Sequence, residues 1–236
     1  MSCRGRDIDT YTSSPSPLSP EVVKALRNRA VQALDAAIDR GFAAATVLHA
    51  RGSVALEQGD NEGAVHYLQA ALEVSARQRR EAAAAGGPAE EVLLGDSVKD
   101  AHTWNQLGLA FAAGKHFQPA FEAMTTGLAL DPSVEALSVN LATVLGNLGR
   151  HKDAVRILER CIASNKAKGK PASMSILNNL GVAELDLGRP EAALRHFMRA
   201  EAGLRAKGVG ADDPWLVTVL NNVQRARGLT TSRVGA

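Results

Sequence analysis

Four times along this chain a glycine or alanine is followed, twelve residues later, by an alanine: Gly52 and Ala64, Gly108 and Ala120, Ala142 and Ala154, Gly181 and Ala193. That fixed interval constrains the fold more than any other feature. Residues with almost no side chain let two helices approach closely where they cross, and a constant interval places the same crossing in every unit. Residues 101–134 show the surroundings of one crossing. Trp104, Leu107 and Phe111 flank Gly108 on a first helical segment, and Met124 and Gly127 follow Ala120 on a second. A turn near Gly114 to Phe117 joins the two segments, and Asp131-Pro132 stops the second, because proline lacks the N–H and restricts the residue before it. The register recurs 34 and a further 39 residues on, and 56 residues back. A helical pair of this size cannot bury its apolar face alone, so the pairs must stack on one another.

This order of large, small and stop residues resembles the tetratricopeptide unit, whose pattern runs W-x2-L-G-x2-Y, then A, F, A and P. The resemblance implies an all-α fold: a short right-handed superhelix of four helix-turn-helix units, here with an unpaired helix at each end and about ten helices in total. The longer steps, and the LNN signature shared by Leu177-Asn178-Asn179 and Leu220-Asn221-Asn222, resemble the extended repeats of kinesin light chains.

Taken in order, residues 1–18 are a polar, disordered tail rich in Ser, Thr and Pro. Residues 19–41 form an N-terminal capping helix. Ser19-Pro20-Glu21 supplies a cap, a proline at the first helical position and an acidic first turn; Val22, Val23, Leu26, Ala30, Leu34 and Ile38 make one face apolar; Gly41 ends it. The first unit spans 45–78 and departs from the pattern, with Arg51 in place of leucine and Ala55 in place of an aromatic. An insert at 79–100, an extended helix and loop broken at Gly86-Gly87-Pro88, carries the small apolar cluster EEVLLGDS, expected to fold back on the stack. Units two, three and four span 101–134, 135–168 and 174–207. A closing helix at 213–228 covers the apolar face of unit four, and 229–236 is a flexible tail.

With 45% hydrophobic residues, 4% aromatics and a net charge of +2, the composition suits closely packed helices and gives no support for nucleic acid as the main partner. No apolar run has signal-peptide or membrane-spanning length, so the expected setting is cytoplasmic, with organelle targeting by Arg4 and Arg6 left open. Of the two cysteines, Cys161 falls where other units carry Ala or Gly and reads as a small buried hydrophobe. The six histidines lack metal-ligand spacing, and the glycine pairs follow helices and not strands. Neither a catalytic group, a metal site nor a cofactor is expected.

In the family, the first helices line a concave groove that binds peptides and partner segments. The position before the Leu-Gly pair, or its equivalent, faces that groove by this resemblance, and here it holds Gln106, Asn140, Asn179 and Asn222, preceded in three cases by Asn105, Asn178 and Asn221. An amide carries both donor and acceptor and can pair with one extended backbone residue. The array resembles the asparagine ladder of the repeat domain of O-linked N-acetylglucosamine transferase, broken in unit one by Ala50; the same amides could instead tie neighbouring helices together. The two-carboxylate clamp of chaperone adaptors is absent, since His49, Ala136 and Asn140 fill its basic positions. The basic run Arg150, Lys152, Arg156, Arg160, Lys166, Lys168 and Lys170 is either a solvated outer face or a landing patch for an acidic partner. The function expected is a noncatalytic interaction module that binds a peptide or partner helix; the rival is a structural subunit built into a larger assembly through its convex face and end helices.

Overall fold

The computed structural model describes residues 20–41, 44–85 and 89–234. Among them ten α-helices and no strand are found: α1 Pro20–Asp39, α2 Ala45–Glu57, α3 Asn61–Ala84, α4 Ala89–Ala113, α5 Phe117–Leu130, α6 Glu135–Asn147, α7 His151–Ala167, α8 Met174–Asp186, α9 Pro190–Ala206 and α10 Pro214–Val234. Helices α2/α3, α4/α5, α6/α7 and α8/α9 pair as the four units.

Each crossing is built as the spacing requires. A Cβ added at Gly52 would lie 2.6 Å from Leu68 Cγ, one at Gly108 2.5 Å from Met124 Cγ, and one at Gly181 2.5 Å from the Phe197 ring. The alanines twelve residues on, Ala64, Ala120, Ala154 and Ala193, are at most 1% exposed. In unit three Ala142 faces Leu158 at the same sixteen-residue step, and Leu68, Met124, Leu158 and Phe197 are all fully buried.

The turns between paired helices close identically. The N–H of Asp60, His116, Arg150 and Arg189 reaches the carbonyl five residues back, at 2.8 to 3.0 Å, and the residue before each has positive φ. This is the Schellman closure, which wants glycine at that left-handed residue. Gly59, Gly149 and Gly188 comply, but unit two places Lys115 there at φ 62°. Asp60 also caps α3, its side chain accepting from Gly63 N–H at 2.9 Å. At the far end of α5, Asp131 is extended (φ −140°, ψ 96°), as a residue before proline must be.

The ends differ from expectation in extent. In the insert, the expected extension of the second helix is the end of α3, to Ala84, whereas 89–100, expected as loop, are the first half of α4. The side chains of its apolar cluster lie outside the described residues, as do the tail 1–18, Ser19, Cys3 and the break at 86–88. Helix α10 continues to Val234, past the expected stop at 228, with Leu216, Val219, Val223 and Ala226 buried against α8 and α9. At the other end α1 packs on α2. Leu34 and Ile38 are only half-buried, and none of its described side chains is buried. Its anchor is polar: Asp35 accepts from Arg51 Nε at 2.7 Å, and the Arg51 guanidinium sits 4.8 Å over the Tyr67 ring. Arg51 therefore stands in the leucine position because α1 covers it with a carboxylate.

Candidate interaction surfaces

The first helices of successive units touch one another, α2 with α4, α4 with α6, α6 with α8 and α8 with α10, whereas among the described residues α3, α5, α7 and α9 make no such contacts with each other. Helices that lie closer together line the inside of a curve. The first helices therefore form the concave face and the second helices the convex one.

Side-chain hydrogen bonds join every neighbouring pair of first helices. Ser53 donates to Gln106 Oε1 at 2.6 Å between α2 and α4, where His49 Nδ1 also lies 2.8 Å from Thr103 Oγ1. Asn140 donates to Asn105 Oδ1 at 2.9 Å between α4 and α6. Thr143 donates to Asn179 Oδ1 at 3.3 Å between α6 and α8, and Asn222 donates to Asn178 Oδ1 at 2.9 Å between α8 and α10. Two expectations change. Asn105 and Asn178, placed in the groove from the sequence, are buried acceptors between helices. Gln106, Asn140, Asn179 and Asn222 are half-buried at the edge of these contacts, and Asn221 is exposed. The geometry makes six of the seven amides partners in a seam; Asn179 also ties back to the Ser175 carbonyl at 2.9 Å. The seam was legible as the alternative role of the amides, but its partners were not, since Ser53 and Thr143 look like ordinary solvated helix residues.

Sequence reasoning missed a cavity of about 510 Å³ beside the first unit. Thr46 and His49 of α2, Ser75 and Gln78 of α3, and Asp100, His102 and Thr103 of α4 line it. Asp100 is 4% exposed; it accepts from Ser75 Oγ at 2.8 Å and forms an ion pair with Arg79. Burial pushes the His49 imidazole below its ordinary pKa, with His102 adding to the effect. The cavity exists because the insert lengthens α3 and α4 beyond the start of α2, at Ala45.

Unit four carries a second buried acid. Glu184 occupies the position of Ala55, Phe111 and Leu145 in the other units, is 7% exposed, and accepts from Arg189 at 3.3 Å. His196 nearby is held below its ordinary pKa by burial and by Arg199, although Glu184 opposes this. His151 Nδ1 lies 3.6 Å from Asp186. Among the described residues no group of three or more His, Cys, Asp or Glu side chains could hold a metal ion, and no helix is long and apolar enough to cross a membrane.

A stack of helical pairs with small residues at each crossing, Schellman turns and an inner seam defines an α-solenoid scaffold. Tetratricopeptide repeat sequence models match residues 45–78 and 133–206, so these two segments are tetratricopeptide repeats. The protein MamA is similar in structure, with 17% identity, a TM-score of 0.61, and coverage of 80% of this chain and 94% of that one. So is a putative kinesin light chain of Podosopora anserina with nearly identical TPR-like repeats, at 19% identity, a TM-score of 0.59, and coverage of 80% and 87%. A chain of the APC/C hetero-tetramer Cut9–Hcn1 matches at 18% identity and a TM-score of 0.62, over 87% of this chain but only 34% of that one. These likenesses show the fold. No curated protein sequence matches the chain.

Proposed function

We propose that the protein is a noncatalytic interaction module that holds an extended segment of a partner protein along its concave face. The observation that carries this reading is a stripe of mostly polar, uncharged side chains along the inner surface. One turn before the seam residues lie Thr46, His102, Ala136, Ser175 and Thr218, four of them exposed and Ser175 half-buried. Asn140 and Asn222 each use one N–H in the seam and keep a carbonyl oxygen and a second N–H, the pair of groups that an extended backbone residue matches. A surface of this kind favours main-chain recognition over capture of a charged end. A permanently built-in subunit would expose contiguous apolar surface. The exposed large apolar residues among those described, Leu130, Met198, Val217 and Leu229, are spread over α5, α9 and α10.

The test uses peptides selected from a random display library on the wild-type protein. Their affinities are then measured against Ala136→Arg and Thr218→Arg, which crowd the concave face at exposed positions outside the seam, and against Arg199→Glu on the convex face. The reading expects losses of roughly tenfold or more in the concave variants only, a change of about 1.4 kcal/mol. Peptides that bind both concave variants as well as wild type would refute it.

A further inference from the structure

Within each unit two positions twenty-three residues apart meet where the helices of the pair diverge: Leu48 and Ala71, Trp104 and Gly127, Leu177 and Ala200, Ser138 and Cys161. In three units a bulky first-helix residue fills the space over a small second-helix one; a Cβ on Gly127, for instance, would come 3.0 Å from Trp104 Cβ. Unit three has no bulky member. Between α5 and α7 a groove of about 400 Å³ remains open, and the Ser138 hydroxyl and the Cys161 thiol line it together. Leu128, Ala129 and Pro132 form one wall, Ile157, Cys161 and Ser164 the other, and Arg160 stands at the rim. Because α5 and α7 are second helices, this groove opens on the convex side, away from the surface of the proposed function.

The surroundings are basic. Residues 150–170 hold seven Lys and Arg against Asp153 and Glu159. Asp153 takes up Arg150 and Arg156, at 2.9 and 2.7 Å. Lys152, Arg160, Lys166, Lys168 and Lys170 are exposed and have no ion pair among the described residues. Asp131 and Glu135 also lie near the groove, accepting at 2.8 Å from Ser133 N–H and from Asn165, and these two carboxylates are outnumbered by the five cations.

We propose that this convex groove is a second docking site and that its occupant is an acidic protein segment. One apolar side chain of the segment enters the space that Ser138 leaves open, and flanking carboxylates pair with Arg160 and the lysines of 166–170. The groove holds no aromatic ring on which bases could stack, as single-stranded nucleic acid requires. It is also a groove between two helices, lined in part by Ser138, Ser164 and Arg160, and not a broad apolar helix face of the kind that lies on a bilayer. An apolar slot beneath unpaired cations matches a carboxylate-flanked aliphatic side chain.

The test is fluorescence anisotropy with a short labelled peptide in which a single leucine sits among glutamates. An all-glutamate peptide of the same charge, an oligothymidylate and phosphatidylserine vesicles serve as competitors. The leucine peptide should bind in a salt-sensitive manner and be displaced poorly by all three. Ser138→Leu restores the bulk that other units carry, and Arg160→Glu reverses the rim charge without touching the core. Each should weaken binding by roughly tenfold or more, whereas Thr218→Arg on the concave face should leave it unchanged. The proposal is overturned if the all-glutamate peptide competes equally, if oligothymidylate or vesicles bind in place of the peptide, or if neither Ser138→Leu nor Arg160→Glu alters the affinity.

Discussion

Gly181→Ala tests the reasoning behind the whole stack. The added Cβ would stand 2.5 Å from one carbon of the Phe197 ring and within 2.8 Å of two more, so the ring must retreat by about 1 Å to reach ordinary contact. Phe197 is fully buried among Leu185, Ala193, Val223 and Ala226, and a flat ring has no flexible end to bend aside. Overpacking of this kind costs about 1–3 kcal/mol. Alanine gains about 1 kcal/mol over glycine in helix propensity, which offsets part of the loss. The expected net destabilisation reaches about 2 kcal/mol, or about 4–8 °C in Tm for a chain of this size. Gly108→Ala meets the adaptable Met124 and should be close to neutral. Gly52→Ala, against Leu68 Cγ at 2.6 Å, should fall between them. Unit three supplies the rescue, because Ala142 already packs on Leu158 at this crossing. Gly181→Ala combined with Phe197→Leu should therefore recover much of the loss. Calorimetry of the four variants, with hydrogen exchange on α8 and α9, would decide. A Gly181→Ala protein as stable as wild type would sink the argument that these glycines are kept for close approach.

Lys115→Gly should raise stability by about 1 kcal/mol, because it relieves a non-glycine residue at φ 62° in a turn whose three counterparts use glycine; a lower urea midpoint would count against it. Asn178→Ala should destabilise by about 1–2 kcal/mol, since the Asn222 N–H loses its acceptor, while Asn221→Ala, exposed on the next helix, should be nearly neutral by the same urea titration. His49 and His196 are depressed by burial, so the folded state binds fewer protons than the unfolded chain as pH falls. Their contribution is present above about pH 6.5 and lost below it, and the urea midpoint should drop between about pH 7.5 and about pH 5.5. His196→Gln should flatten that dependence; an unchanged slope would exclude His196 as a contributor.

The repeat framework was legible because its physics is local. Gly108, Ala120 and Pro132 announce a crossing and a stop through their own steric limits, and the interval between them carries the register. The positions of Ser53 and Thr143 in the inner seam were not legible, since a serine or threonine on a half-exposed helix face looks the same with or without a partner more than thirty residues away. Asn105 and Asn178 were misplaced for a related reason. The family resemblance puts them beside the groove-facing positions, but the approach of the next first helix covers them. The helical state of the insert was blurred by Gly86-Gly87-Pro88, which reads as the edge of a loop; α3 ends at Ala84 and α4 begins at Ala89, and the connection between them is short.

Where a unit departs from the pattern of its neighbours, the departure has a physical consequence. Arg51 replaces an apolar residue and is neutralised by Asp35 from α1, so unit one is capped through an ion pair and ring stacking in place of deep apolar burial. Glu184 replaces a residue that is apolar elsewhere and draws in Arg189 from the following turn. A buried carboxylate is tolerated only with such a partner, and removing the partner is more damaging than never having had the pair. Ser138 is the exception. Its loss of bulk coincides with the groove between α5 and α7, which stays open beneath unpaired cations. Departures that are compensated within the chain belong to its stability. One that leaves a void and unbalanced charge together is compensated only by something from outside, which is why Ser138→Leu should preserve or raise the melting temperature while weakening the binding of the leucine-containing acidic peptide. A Ser138→Leu protein that unfolds early would show that the void is not free space and would remove the physical basis of the convex site.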